Sequence, residues 1–163
     1  MIRKIQIEDA AAICDIYNYY ILNSSATFEE RPVTKVQMAE RIRKLTAHLP
    51  WIVFEEGEKV IAYAYATAWR ARAAYRNTVE SSIYLHPDAR KKGIGTQLYG
   101  NLLSILKKRK FHTVIGGVTL PNDSSIALHE KFGFEKVAHF KKVGFKFGQW
   151  LDVGYWQLML NEK

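Results

Sequence analysis

Apolar and polar positions change period several times along the chain, and each change marks an element. Residues 2–7, IRKIQI, alternate apolar with polar, the period of an opening strand. Asp9 is placed to cap a helix, and behind it Ile13, Ile16, Tyr17, Tyr20 and Ile21 recur at helical spacing. Residues 23–33, NSSATFEERPV, are rich in Ser and closed by Pro32, and read as a loop. Thr34 followed by Gln37 forms a capping-box pattern. Met38, Ile42, Leu45 and Leu49 then make the apolar stripe of a second helix.

The period next drops to two. WIVFEE (51–56) and KVIAYAYATAW (59–69) are predicted strands around a turn at Gly57. RARAAYR (70–76) is a basic break. NTVESSIYL (77–85) is a third strand of this run, ended by Pro87, which has no amide for a ladder. A helix follows from about Gly93 to Lys108, with Leu98, Leu102, Ile105 and Leu106 on one face. HTVIGGV (112–118) is a buried-type strand, and DSSIALHEKF (123–132) is a short helix stopped at Gly133. Two strands, near 135–143 and 147–160, close the chain. The order is β-α-α-β-β-β-α-β-α-β-β. Consecutive middle strands imply an antiparallel meander, and the strand–helix–strand unit 77–118 implies a parallel pair. The expected fold is α/β (mixed α+β): a mixed, mostly antiparallel sheet of about seven strands with helices on both faces. It is expected as a single domain over residues 1–163, without linker or repeat.

Composition narrows the class. With 48% hydrophobic and 25% charged residues, the chain has the balance of a globular protein rather than a disordered one. Its apolar runs fall well short of the roughly 20 residues of a membrane span, and MIRKIQIEDA lacks the apolar stretch of a signal peptide. Cys14 is the single cysteine, so an internal disulfide is excluded. A cytoplasmic protein with no membrane partner is expected. The net charge of +8 suits an anionic partner, either nucleic acid or a polyphosphorylated small molecule. No helix-turn-helix, zinc-finger or RNP-type pattern is present, so a basic nucleic-acid-binding module stands only as an alternative.

The stretch LHPDARKKGIGTQL (85–98) favours the small molecule. The first amides of a helix lack intrahelical partners and carry the positive end of its dipole. Glycines let a phosphate approach that backbone, and Arg90, Lys91 and Lys92 add full charges. Pyrophosphate binding at the amides of Lys91 to Thr96, Gly93, Ile94 and Gly95 included, is expected. A Walker A loop is absent. The third glycine of the dinucleotide fingerprint is replaced by Leu98, and the strand HTVIGGV carries no acidic residue.

R-K-K-G-I-G (90–95), between a strand and a helix, resembles the Q/R-x-x-G-x-G/A motif of the GCN5-related N-acetyltransferases, the GNAT superfamily. V-T-L-P-N-D-S-S-I-A-L-H-E-K-F-G-F (118–134) resembles the family's later strand and Asn-led helix. Y-R-N-T-V-E-S-S-I-Y-L (75–85) and V-G-F-K-F-G-Q-W-L-D-V-G-Y-W-Q (143–157) are similar to its phosphinothricin / methionine sulfoximine acetyltransferase branch. The five histidines lack metal-ligand spacing such as H-E-x-x-H, so no metal is expected. The resemblance implies acetyl-CoA as donor and a splayed pair of parallel strands at 77–85 and 112–118. It implies pantetheine contacts at Ile83, Tyr84 and Leu85, with Asn122 and Lys131 also on the cofactor side. It implies an oxyanion donor among backbone N–H groups near Leu85.

Thioester-to-amine transfer needs the amine deprotonated. Glu80, among apolar strand neighbours at the position of the branch's proposed catalytic glutamate, is the expected base. His129 stands where many relatives carry a tyrosine, and either protonates the leaving thiolate or packs. Cys14 is expected only to pack, which favours direct transfer in a ternary complex. The acceptor site is expected from Phe28 and Glu29 in one loop, and from Arg72 with the backbone of Ala73, Ala74 and Tyr75 in another. By resemblance the acceptor is the α-amino group of a small amino-acid analogue (phosphinothricin, methionine sulfoximine or methionine sulfone type), and the enzyme is a homodimer. A peptide or protein N-terminal acetyltransferase is the second enzymatic reading.

Overall fold

Strand β3 (Lys59–Ala68) shows how the sequence builds the sheet. In its run AYAYATA, side chains alternate between faces. Ala62, Ala64 and Ala66 join the core on one face, and Tyr63 joins the core on the other. The computed structural model describes residues 1–89 and 93–161. The other elements are β1 (Ile2–Lys4), α1 (Ala10–Asn23), α2 (Lys35–Thr46), β2 (Trp51–Glu56), β4 (Thr78–Leu85), α3 (Ile94–Lys108), β5 (Thr113–Leu120), α4 (Asp123–Lys131), β6 (Glu135–Lys146) and β7 (Gln149–Met159). The strands form one seven-stranded sheet in the order β1-β2-β3-β4-β5-β7-β6. Every neighbouring pair is antiparallel except β4–β5, which is parallel.

Helices cover both faces, as the element order implies. On one side Ile13, Ile16 and Ile21 of α1 and Met38 and Ile42 of α2 pack on Trp51, Val53 and Tyr63. On the other, Leu98, Tyr99, Leu102 and Leu106 of α3 pack over Ala62, Ala64, Ala66 and Val114. The small alanines let α3 lie close, and each leucine buried there contributes about 1.5–3 kcal/mol. The Thr34–Gln37 capping box forms in both directions, with Gln37 N–H donating to Thr34 Oγ1 at 3.2 Å. Among the described residues no helix is long and apolar enough to cross a membrane.

The structure differs from the sequence expectation at several places. Asp9 does not cap α1. Its carboxylate instead receives Arg3 through two N–H bonds (2.8 and 2.9 Å) and the Gln6 amide (2.8 Å), stabilising a short 3-10 turn before the helix. The Arg3 guanidinium beside it holds the Asp9 carboxyl below the usual range despite burial. β1 is accordingly shorter than the 2–7 alternation suggests. β6 runs on to Lys146, past the expected limit of 143, because a bulge between Phe140 and Gly144 realigns it with β7.

Candidate active site

The parallel pair β4–β5 is joined at only three positions, Thr78–Thr113, Val79–Val114 and Glu80–Ile115. Beyond Glu80 the strands separate, while β3 stays paired with β4 to Leu85 and β7 with β5 to Leu120. The β3–β4 ladder bonds at its ends, Trp69 N–H to the Thr78 carbonyl and His86 N–H to the Ile61 carbonyl, fix its phase. Even-numbered residues of β4 therefore bond to β3, and the backbones of Ser81, Ile83 and Leu85 point into the gap. Tyr84, expected beside them as a backbone contact, instead gives its amide and carbonyl to β3. Its ring joins a cluster with Tyr17, Tyr20 and Tyr63. The Leu85 carbonyl accepts the Tyr20 hydroxyl at 2.6 Å.

The gap opens into a groove of about 760 Å³, bordered by Tyr20, Ser24 to Ala26, Ser81 to Leu85, Gly117 to Thr119, Asn122 and Lys131. Gly93, Gly95 and Thr96 border it as well. Gly93 caps α3 with φ of +73°, a left-handed conformation that favours glycine. The first helical bond runs from Gln97 N–H to the Gly93 carbonyl, so the amides of Ile94, Gly95 and Thr96 precede any intrahelical pairing. Arg90, Lys91 and Lys92 lie outside the described residues. A row of backbone groups leading to a helix N-terminus suits an extended, amide-bearing arm that ends in a phosphate.

Glu80 stands where the strands part, half-buried. Burial pushes its pKa above the usual carboxylate range. Its Oε1 would lie 3.3 Å from a Cβ placed on Gly117, and Tyr155 Cε1 would lie 3.1 Å from the same point. Glycine at 117 thus keeps room between the carboxylate and the strand opposite. The Tyr155 ring packs edge-on against Trp69 and Phe140. With Phe28, Val143 and Val153 it also lines an apolar pocket of about 300 Å³.

His129 is buried, and its Nδ1–H donates to the Ser125 carbonyl at 2.6 Å. That bond leaves Nε2 as the acceptor nitrogen. A Cβ on Gly116 would fall 2.3 Å from Nε2, so only glycine there admits the ring. Tyr99 and Phe134 pack edge-on to the imidazole, and Tyr99 OH shares a 2.7 Å hydrogen bond with Ser81 Oγ. Burial lowers the His129 pKa, so the ring is held neutral.

The remaining sequence-derived residues separate. Asn122 caps α4, its Oδ1 accepting Ser125 N–H at 3.2 Å and Ser124 Oγ–H at 3.1 Å. Lys131 and Asn122 both border the groove. Glu29 is held by Tyr17 and by a bidentate pairing with Arg41 (2.8 and 2.6 Å), which lowers its pKa. Ala73 to Tyr75 form an exposed 3-10 turn, and the Arg72 guanidinium makes no hydrogen bond or ion pair among the described residues. Cys14 is buried, with Sγ on the Val33 carbonyl at 3.0 Å, as a packing role requires. The sequence marks Tyr20 only as part of a helix stripe, and it does not single out Tyr155 or the glycine pair 116–117 as site residues. The adjacent glycines inside a strand were the available signal, since they mark close approach.

The comparisons with known proteins agree with this geometry. The family model described as "Acetyltransferase (GNAT) domain" matches residues 2–154. The chain is 38% identical over 156 residues to phosphinothricin N-acetyltransferase of Streptomyces viridochromogenes, covering 96% of this chain and 85% of that one. It is 37% identical to the L-methionine sulfoximine/L-methionine sulfone acetyltransferase of Salmonella typhimurium, covering 94% of this chain and 91% of the other. The crystal structure of a phosphinothricin acetyltransferase from Sinorhizobium meliloti in complex with AcCoA superposes with a TM-score of 0.94 at 41% identity, covering 98% of this chain and 87% of that chain. With the splayed strands, the glycine-led helix and a family match over nearly its whole length, the chain belongs to the GNAT family of acetyltransferases.

Proposed function

We propose that this enzyme transfers an acetyl group from acetyl-CoA to the α-amino group of a small amino-acid analogue of the phosphinothricin, methionine sulfoximine or methionine sulfone type. Transfer is direct, with both substrates bound. One observation carries the reading. Glu80, the apolar pocket at Tyr155 and the stretch of β4 that no longer pairs with β5 meet at the same break in the sheet. The names of the similar enzymes support the choice of acceptor.

Acetyl-CoA supplies an activated thioester carbonyl. The backbones of Ser81, Ile83 and Leu85 offer it a strand-like partner, and the amides of Ile94 to Thr96 suit its pyrophosphate. A β4 amide facing the gap, at or near Leu85, serves as oxyanion donor. Glu80 accepts the proton of the incoming ammonium, directly or through one water. Its raised pKa makes it a stronger base than an exposed carboxylate. The pocket of Phe28, Phe140, Val143, Val153 and Tyr155 receives the acceptor's aliphatic side chain. The Arg72 guanidinium, which makes no hydrogen bond or ion pair among the described residues, serves the acceptor's carboxylate. His129, neutral and with Nδ1–H engaged, shapes the groove; protonating the thiolate would first require an imidazolium that its burial disfavours.

The exposed apolar side chains of the β6–β7 hairpin, Phe145, Phe147 and Trp150 among them, support a homodimer. Light scattering checks this, and a mass of one chain counts against it. The free thiol of Cys14 suits the cytoplasm.

The test is an amine panel with acetyl-CoA and thiol release as readout. It includes the three analogues, ordinary amino acids, polyamines and an N-terminal peptide. Highest kcat/KM for the analogues supports the reading. A preference for the peptide replaces it with an N-terminal acetyltransferase, and DNA retention without acetyl-CoA binding replaces it with a nucleic-acid module.

A further inference from the structure

Lys146 is 2% exposed, and among the described residues no other lysine or arginine is buried. Its Nζ donates to the Ser24 carbonyl at 2.7 Å and to the Thr27 carbonyl at 2.8 Å, and lies 5.0 Å from the centroid of the Phe147 ring. It makes no ion pair among the described residues. Glu29 and Glu30 act on it only through space, and burial lowers its pKa. An ammonium withdrawn from water without a touching carboxylate costs several kcal/mol, which a methionine of similar length would avoid. The placement therefore needs a reason beyond packing.

The route of β6 supplies one. Between Phe140 and Gly144 the strand carries three residues against the single Asp152 of β7, and Lys142 takes a positive φ of 51°. After this bulge Gly144 and Lys146 are buried, whereas most of β6 before it is exposed. Gly144 receives the ring of Phe28, since a Cβ there would fall 2.3 Å from ring atoms. Lys146 takes the two carbonyls that bracket Ser25 and Ala26. One strand thus grips residues 24–28 at two points. That segment carries Ser24, Ser25 and Ala26 on the wall of the groove and Phe28 on the apolar pocket.

We infer that Lys146 is a positioning residue for the transfer: its ammonium fixes segment 24–28 as the wall shared by the donor groove and the acceptor pocket. The effect on the acceptor rests on the function proposed above, whereas the effect on the wall does not.

The experiment compares wild type with Lys146→Met by hydrogen exchange, melting temperature, acetyl-CoA Kd and steady-state kinetics on the best amine of the panel. Lys146→Gln, which keeps a donor for one carbonyl, is the second variant and serves alone if the first does not fold. The expected result is amide exchange in residues 24–28 faster by about tenfold, with α3 and β2 to β4 unchanged, and an acceptor KM raised about tenfold with kcat within about threefold, the loss of a charge-assisted hydrogen bond. The glutamine variant should fall between. Unchanged exchange in 24–28, exchange accelerated across the whole sheet, or a loosened wall with unchanged KM would each overturn the inference. If wild type acetylates none of the amines, the proposed acceptor fails on its own. Lys146 is then decided by exchange and Kd together: a loosened wall with weaker acetyl-CoA binding upholds it, and unchanged values overturn it.

Discussion

Glu80 and His129 lie on opposite faces of strand β5, the carboxylate over Gly117 and the imidazole over Gly116. Successive residues of a strand point to opposite sides, so two adjacent glycines make room for one titratable group on each. Burial acts on the two in opposite directions of pKa and with the same result, favouring a protonated acid at Glu80 and a neutral ring at His129.

Replacing Glu80 by Gln should lower kcat/KM by about 100-fold or more, the usual worth of a positioned base, with acetyl-CoA Kd within about threefold. Because burial raises the pKa, the basic form accumulates only above the normal carboxylate range. Wild-type kcat/KM should therefore climb with pH through that range, and the Glu80 limb should be missing from the variant's profile. Steady-state kinetics across pH and calorimetry with acetyl-CoA read both, and near-normal turnover would remove Glu80 from the chemistry.

The two glycines should respond differently to alanine. Gly116→Ala drives a Cβ to 2.3 Å from the His129 ring, so the ring must leave its site. A loss of about 1–3 kcal/mol is expected, as for overpacked cores. Gly117→Ala meets Tyr155 at 3.1 Å and Glu80 at 3.3 Å. It should melt near wild type and lose about tenfold in kcat/KM through a displaced carboxylate. Melting curves and kinetics separate the two, and equal melting temperatures would mean that the His129 ring moves aside freely.

Acid should weaken the fold through His129. The unfolded chain protonates this imidazole near its ordinary pKa, while the folded chain does so only at lower pH. Its contribution is complete above about pH 6.5 and is lost as pH falls toward the depressed folded value. Between pH 7.5 and 5.5 the melting temperature of His129→Phe should fall less than that of wild type. Parallel curves would show that the ring is not held neutral.

Tyr20→Phe removes the hydroxyl that holds the Leu85 carbonyl. A hydrogen bond of about 0.5–1.5 kcal/mol is at stake. Acetyl-CoA Kd should rise about 2- to 10-fold, with kcat for bound substrates largely spared. Fluorescence or calorimetric titration measures it, and unchanged affinity would mean that the strand end needs no such anchor.

Local periodicity made most of the fold legible. The alternation AYAYATA, the Thr34–Gln37 box and the glycine-led helix each depend on neighbours within a few residues, and each appears where the pattern places it. Glu80 stands out in the sequence as a carboxylate in an apolar strand, at a position resembling that of the branch's proposed catalytic glutamate, and the structure places it half-buried where the strands part. What was not legible depends on distant partners. Asp9 looks like a cap until Arg3 claims it. Glu29 looks available for substrate until Arg41, twelve residues on, pairs with it. Lys146 looks like one more surface lysine of a basic strand, since nothing in VGFKFG announces the bulge that turns it inward.

The early end of the β4–β5 pairing has a consequence for handling the enzyme. A sheet that parts after three pairs carries an edge inside itself, with the same appetite for an added strand as an outer edge. On the proposal above, the donor lies along this edge as a removable eighth member of the sheet. Thermal stability should then track donor concentration, by about 2.7 kcal/mol at a hundred times its Kd. Released CoA, which keeps the same amide-bearing arm, should hold that edge nearly as well and compete with the next acetyl-CoA for it.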